Sequence, residues 1–201
     1  MIKGFIAGLI IANGFEWIAH KYVLHGTHRV GQPRFSPVPD SMKSHWEHHR
    51  EVRKTDFSDY GYVEGIRNWR TRNEIMSLAV TVGVFARLFY PVSKGMSLAV
   101  FYSTANYYYV HRRAHLEPEW AKKTIPWHYD HHMNSNQDAN WCVTKPWFDY
   151  ILGTRVISSP DLQEQNPIGI RLPKMLSTWL NRSIHQIFPA QWVNETTKIA
   201  E

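Results

Sequence analysis

The sequence predicts an all-α fold: an integral-membrane helical bundle of about three to four spanning or membrane-embedded helices, with a histidine-rich cap on the cytosolic side. Three observations lead there. Apolar segments at about Gly4 to Ala19, Ile75 to Phe89 and Gly95 to Val110 lack sustained strand-like alternation. Ten of the 12 histidines fall into four clusters beside the ends of those segments. Lys and Arg residues gather at the same ends, with little beyond Lys3 and Lys94 at the opposite ones.

A chain of 201 residues suits one domain, so any second catalytic partner is expected to be a separate polypeptide. Residues 1–157 carry every cluster, and 158–201 form a tail belonging to the same domain. The net charge of +6 suits nucleic acid, anionic lipid or a cytoplasmic membrane face; no nucleic-acid recognition motif is present, so that partner is set aside. Nine Trp and 10 Tyr favour a boundary between apolar and wet surroundings. Cys142 is the single cysteine, which excludes a disulfide framework and a cysteine-ligated cluster.

In chain order, MIKGFIAGLIIANGF runs without a small-residue cleavage site into Glu16, Trp17 and His20, and is read as a retained helix. Each apolar segment is shorter than a standard span of about 20 residues and Arg87 interrupts the second, so buried helices of a soluble bundle are the competing reading. Charge geometry decides for the membrane. A helix descending from Lys3 to His20, a second rising toward Tyr90 and a third descending from Lys94 to His111 bring all clusters to one side, which the positive-inside rule makes cytoplasmic. YPVSKG is a tight helical hairpin. Beyond Ser158 four prolines break the chain, leaving Lys174 to Ile187 as the one amphipathic helix, with no chemistry assigned to it.

The clusters are His20 and His25 in HKYVLH; His45, His48 and His49 in HWEHH; His111 and His115 in HRRAH; and His128, His131 and His132 in HYDHH. Residues three and four apart share a helix face, so the last three clusters present imidazoles in patches with metal-ligand spacing. HKYVLH does not: five positions rotate the rings apart, so the pair serves different metals or sits on a distorted turn. Ten imidazoles exceed what one ion takes and point to a dinuclear site. Imidazole suits Zn, Cu, Fe and Ni alike, so the ligands leave the metal open. Glu16, Glu47 and Asp130 are candidates to orient the imidazoles through their second nitrogens. His28 is read as a loop residue within reach of the site, and His185 as a surface residue. Trp46, Trp127, Tyr107, Tyr108, Tyr109 and Trp141 line a substrate channel or anchor the membrane interface.

The order of the four clusters resembles the histidine boxes of the fatty acid hydroxylase and sterol desaturase superfamily of membrane di-iron oxygenases, over about Glu16 to Thr154. NWCVTKPWFDYILGT, Asn140 to Thr154, is similar to the segment that follows the last box there. In spacing the boxes look like those of fatty acid 2-hydroxylases; carotenoid hydroxylases usually separate the histidines of the third box by four residues, where HRRAH has three. The resemblance makes the ten histidines ligands of two Fe ions, with O2 as co-substrate. The substrate it implies is a fatty acyl or related lipid chain, hydroxylated at a C–H bond. With no haem domain or dinucleotide fingerprint, electrons are expected from a separate cytochrome b5-like or ferredoxin-like protein. The alternatives are a carotenoid or sterol hydroxylase or a desaturase on the same site, or a zinc-loaded lipid hydrolase or structural metal binder.

Overall fold

The computed structural model describes residues 1–26 and 40–193, and the expected loop residue His28 lies outside them. Helix α1 (Ile2–Ile18) continues into a π-helical turn over Ala19–Leu24. There follow α2 (Asp40–Lys54), the single turn α3 (Gly61–Glu64), and the long helices α4 (Trp69–Phe89) and α5 (Lys94–Leu116). Three short helices come next: α6 (Pro118–Thr124), α7 (Pro126–Met133) and α8 (Trp147–Ile151). Strand β1 (Val156–Ile157), helix α9 (Lys174–Ile187) and strand β2 (Gln191–Trp192) complete the described chain. The fold is thus mostly helical as expected. The correction is one parallel pair, Val156 beside Gln191 and Ile157 beside Trp192, too short for any alternation to register in sequence.

Helix ends fall where side chains can satisfy them. Asn68 caps α4 by accepting from Arg70 N at 3.1 Å, and Ser93 caps α5 by accepting from Met96 N. The YPVSKG hairpin closes between these helices, and Ser97 Oγ donates to the Ala86 carbonyl across it at 2.9 Å. Pro118 and Pro126 open α6 and α7, where their missing N–H groups cost nothing.

Helix α1 runs parallel to α5 and in contact with it, because glycines let the backbones approach. A Cβ on Gly95 would overlap the Met1 carbonyl and lie 2.8 Å from Phe5 N, and one on Gly8 would lie 2.6 Å from Ala99 Cβ. Phe15 packs on Phe85 of α4 with ring centroids 4.6 Å apart. Below these long helices, Val52, Phe57, Ala114, Ala121, Ile125 and Trp127 form the buried core joining α2, α5, α6 and α7.

The outward faces of the three long helices are apolar: Ile6 and Ile10 on α1, Val80, Val84 and Leu88 on α4, and Leu98 and Phe101 on α5 are all exposed. Of the three to four spans expected, one helical stretch among the described residues, Ile2–Leu24 with hydropathy 1.4, is long and apolar enough to cross a membrane. The others fall short for a physical reason. Arg72, Glu74 and Arg87 interrupt α4, and α5 carries Ser103, Thr104, Asn106 and the run Tyr107 to Tyr109.

Replacing Gly95 by Ala is expected to push α1 off α5 at a cost of about 1–3 kcal/mol. The melting temperature of purified protein should fall by roughly 2–4 °C for each kcal/mol.

Candidate metal centre

The π-helical turn resolves the spacing problem in HKYVLH. His25 N donates to the His20 carbonyl at 3.0 Å, the bond from residue i to i−5 that stacks those positions above one another. Both rings then face the same point, with centroids 5.1 Å apart. A distorted turn, not separate metals, is what the chain uses.

The structure brings all ten predicted histidines together and buries every one of them. Two groups form, each with candidate ligand atoms within 4.8 Å of one another: His20, His25, His45, His49 and His131; and His48, His111, His115 and His132. His128 stands beside the second group, its Nε2 3.3 Å from His115 Nε2. The two triplets divide in mirror fashion. In HWEHH the pair four apart, His45 and His49, joins the first group while His48 joins the second; in HYDHH, His128 and His132 go with the second and His131 with the first.

Hydrogen bonds set the tautomers. Carbonyl and carboxylate oxygens only accept, so a ring nitrogen bonded to one carries the proton, and in a neutral imidazole the other nitrogen is then bare. His20 Nδ1 donates to the Trp141 carbonyl at 2.5 Å, His115 Nδ1 to Phe57 O at 2.9 Å, and His131 Nδ1 to Ala139 O at 2.7 Å. His48 Nδ1 donates to Asp59 Oδ2 at 2.8 Å and His111 Nδ1 to Glu74 Oε1 at 2.6 Å. Asp59 is itself held by Arg70 Nη2 and Gly61 N, each at 2.8 Å.

The bare Nε2 atoms converge. His48 Nε2 faces His115 Nε2 at 3.1 Å, and both rings have their protons on Nδ1. Two lone pairs at that distance repel unless a cation lies between them. A proton does not suit: burial first, then the neighbouring imidazoles, holds His45, His48, His49, His128, His131 and His132 well below the usual imidazole range. Both nitrogens of His132 are buried with no hydrogen-bond partner at all. Neutral imidazoles with inward lone pairs and outer nitrogens tied to acceptors are the donor set of a metal centre. The residues therefore fit two metal ions.

The expected orienting acids need correction. Glu16 lies one turn before His20, but its oxygens accept from Val143 N, Thr144 N and Thr144 Oγ1 and hold that loop instead. Glu47 is exposed on the outer face of α2. Asp130 turns away from the rings to Arg155 Nη1 at 2.9 Å and to Ser158 Oγ. The residues missed are Asp59, Glu74 and Tyr62, whose hydroxyl lies 2.9 Å from His111 Nδ1 and 2.7 Å from Glu74. Glu74 did leave a signal as the one acid in α4. Asp59 looks like its neighbour Asp56, and backbone carbonyls leave no signal in a sequence. His185 is not a free surface residue but half-buried against the Tyr150 ring.

Phe57 reaches His115 through an unusual backbone. Asp56 and Phe57 both adopt positive φ, 48° and 74°, a conformation that costs such residues on the order of 1–3 kcal/mol and is held by surrounding packing. Here Phe57 is fully buried, its ring 4.6 Å from both His115 and Tyr129. Of the six predicted aromatics, Trp127 and Trp141 are core, with Trp141 packed on His20, His25 and His131. Trp46 lies against His25 and His49, and Tyr109 points outward.

A cavity of about 300 Å³ opens from the histidines into the space between α1, α4 and α5. His20, His45, His48 and His111 form one end, with Tyr62, Arg70 and Glu74 beside them. Ser77, Thr81, Ser103, Thr104 and Tyr107 line its middle, and Gly8, Phe85, Phe89 and Val100 its far end. From His111 to Val100 along α5 is ~16 Å.

Compared with family models, curated proteins and solved structures, the chain finds no match.

Two predictions follow from these bonds. Asp59→Ala removes the acceptor that orients His48, and metal affinity of the second group is expected to fall about 10–100-fold in a chelator-competition titration. The second concerns Asp149, which accepts from Trp141 N and Cys142 N and so sets the loop whose carbonyl holds His20. Burial pushes its carboxyl from 3.8 up to about 6, although those hydrogen bonds pull downward. A carboxyl raised on folding stabilises most below its ordinary value and loses that contribution as pH rises through its folded one. Stability is expected to drop by on the order of 1–3 kcal/mol between about pH 4 and 7 from this group, and Asp149→Asn should flatten that slope in melting curves.

Proposed function

We propose that this chain is an integral-membrane di-iron oxygenase that hydroxylates a C–H bond of a fatty acyl or related lipid chain, using O2 and electrons from a separate redox protein. The observation that carries the reading is the cavity: it begins at the ten-histidine cluster and continues between three helices whose outer faces are apolar. A hydrolase acting on a lipid headgroup has no need of an apolar tube behind its metal; an enzyme that attacks the alkyl chain does. The box order and the Asn140 to Thr154 segment, similar to the fatty acid hydroxylase and sterol desaturase superfamily, support the same reading.

In this reading the ten histidines hold two iron ions, His20, His25, His45, His49 and His131 on one side, and His48, His111, His115, His128 and His132 on the other. Bound there, the iron pair supplies oxygen activation and hydrogen abstraction from an unactivated carbon, chemistry that side chains lack. The protein's own contribution is orientation and exclusion. Asp59, Glu74 and the carbonyls of Phe57, Ala139 and Trp141 keep His48, His111, His115, His131 and His20 in the tautomer that aims Nε2 inward. Phe15, Phe85, Phe89 and Val100 give the alkyl chain a dry wall, fix which carbon lies at the histidine end, and keep water from the reacting position. Lys54, Arg67, Arg112, Arg113, Lys122 and Lys123 lie at the histidine end of the long helices, which turns that end to the cytoplasm.

The deciding experiment is metal analysis and iron(II)-dependent oxygen uptake of detergent-purified protein with acyl lipids. Two irons per chain and lipid-stimulated uptake are expected, both lost when His48 and His131 are alanine. Tightly held zinc, with no reconstitution by iron and no uptake, would favour the zinc hydrolase or structural site instead. Thr104→Trp, which fills the middle of the cavity, is expected to retain iron yet lower kcat/KM for long acyl chains at least about tenfold, as lost positioning of the reacting carbon does.

A further inference from the structure

Helix α9 is built inside out. Its inward stripe is polar: Ser177 Oγ accepts from Asn166 Nδ2 at 3.2 Å, and Asn181 Nδ2 donates to the Gln165 carbonyl at 2.6 Å. His185 Nε2, on the same stripe, lies 3.4 Å from the Tyr150 hydroxyl. Four of its apolar residues face away from the protein, with Met175 85 %, Trp179 60 % and Ile187 70 % exposed and Leu176 exposed beside them, while Leu180 and Ile184 are half-buried. A helix on the surface of a soluble domain does the opposite. Hydrogen bonds to the protein and apolar side chains to the outside are what a helix needs when its other neighbour is apolar.

The charge says what that neighbour is. From Pro167 to Val193 there is no Asp or Glu, while Arg171, Lys174 and Arg182 are present and exposed. A second copy of this chain would set these cations against their own kind, whereas an anionic lipid surface pairs with them. The apolar exterior also reaches this far. Helix α8, which packs on α1, ends on exposed Ile151 and is followed by exposed Leu152, and Trp147 Nε1 donates to the Ile168 carbonyl just before the exposed Ile170 that leads into α9.

We infer that α9 lies in the headgroup layer of an anionic bilayer leaflet, with Met175, Leu176, Trp179 and Ile187 sunk among the acyl chains and Arg171, Lys174 and Arg182 on lipid phosphates. The inference rests on the reading that α1 crosses a membrane, and the test separates the two. Cys142, the single cysteine, is fully buried, so a thiol placed elsewhere takes an environment-sensitive dye selectively. Full-length Ile10→Cys, Met175→Cys and Lys123→Cys proteins are labelled and placed in nanodiscs of phosphatidylcholine with or without phosphatidylglycerol.

The dyes at 10 and 175 are expected to lose fluorescence to lipid-borne quenchers, and the dye at 123 to aqueous iodide. Quenching at 175 should deepen with phosphatidylglycerol, and this dependence should vanish when Arg171, Lys174 and Arg182 are Glu, with iron content unchanged. Iodide quenching at 175 as strong as at 123, with lipid quenching kept at 10, overturns the placement of α9 and leaves that of α1. Iodide quenching at 10 as well overturns both. Shielding of 175 from both quenchers in discs that hold two copies makes α9 a dimer contact and overturns the lipid assignment.

Discussion

Neutral imidazoles whose lone pairs face one another repel, as His48 and His115 do at 3.1 Å, and much of this molecule serves to hold them there. Five of the rings, His20, His48, His111, His115 and His131, carry the proton on the outer nitrogen because that nitrogen meets an oxygen that only accepts. Those acceptors come from distant parts of the chain: Phe57 at a positive-φ turn, Glu74 on α4, and Ala139 and Trp141 on the loop before α8. The turn and loop are therefore as much part of the centre as the helices that carry the rings. A cation held between the nitrogens would convert that repulsion into attraction, and would link metal binding to folding of the histidine-bearing segments.

The tail belongs to this arrangement through a buried ion network. Arg155 is fully buried and binds Asp130 at 2.9 Å, Glu164 at 2.7 Å and the Leu162 carbonyl at 2.8 Å. Asp130 stands inside HYDHH without touching the metal side, so the network fixes the rotation of α7 and with it the directions of His128, His131 and His132. Breaking one partner of such a network leaves a buried charge uncompensated, typically at a cost of about 3–5 kcal/mol. The segment after Ser158, which shows no chemistry in sequence, thus acts on the site by orienting its last histidine box.

Apolar side chains face outward in two parts of this molecule. The long helices turn apolar faces outward and enclose a mostly apolar cavity that ends at the histidines, and α9 hydrogen-bonds inward while exposing Met175 and Trp179. The proposed membrane placement would account for both. Surfaces meeting lipid gain nothing by being polar, and polar groups needed by the site gather where the protein itself surrounds them. Helices α4 and α5 fail a simple hydropathy test because exposed Arg72 and Arg87 interrupt α4, while Ser103, Thr104 and Tyr107 of α5 face the cavity.

Much of this was legible before the fold was known. Helical spacing put the histidines of three boxes on common faces, the YPVSKG turn signal located the α4–α5 hairpin, and the periodicity of Lys174 to Ile187 marked α9 with its observed bounds. Periodicity is local, so a sequence determines it. The partition of the rings between two centres, the choice of Asp59 over Glu16 and Glu47 as an orienting acid, and the cavity itself were decided only by tertiary structure. Each depends on which helix faces which, and on backbone carbonyls that no residue type announces. HKYVLH lies between the two: its spacing posed a choice between two metals and a distorted turn, and packing of α1 against the Trp141 loop decided for the turn.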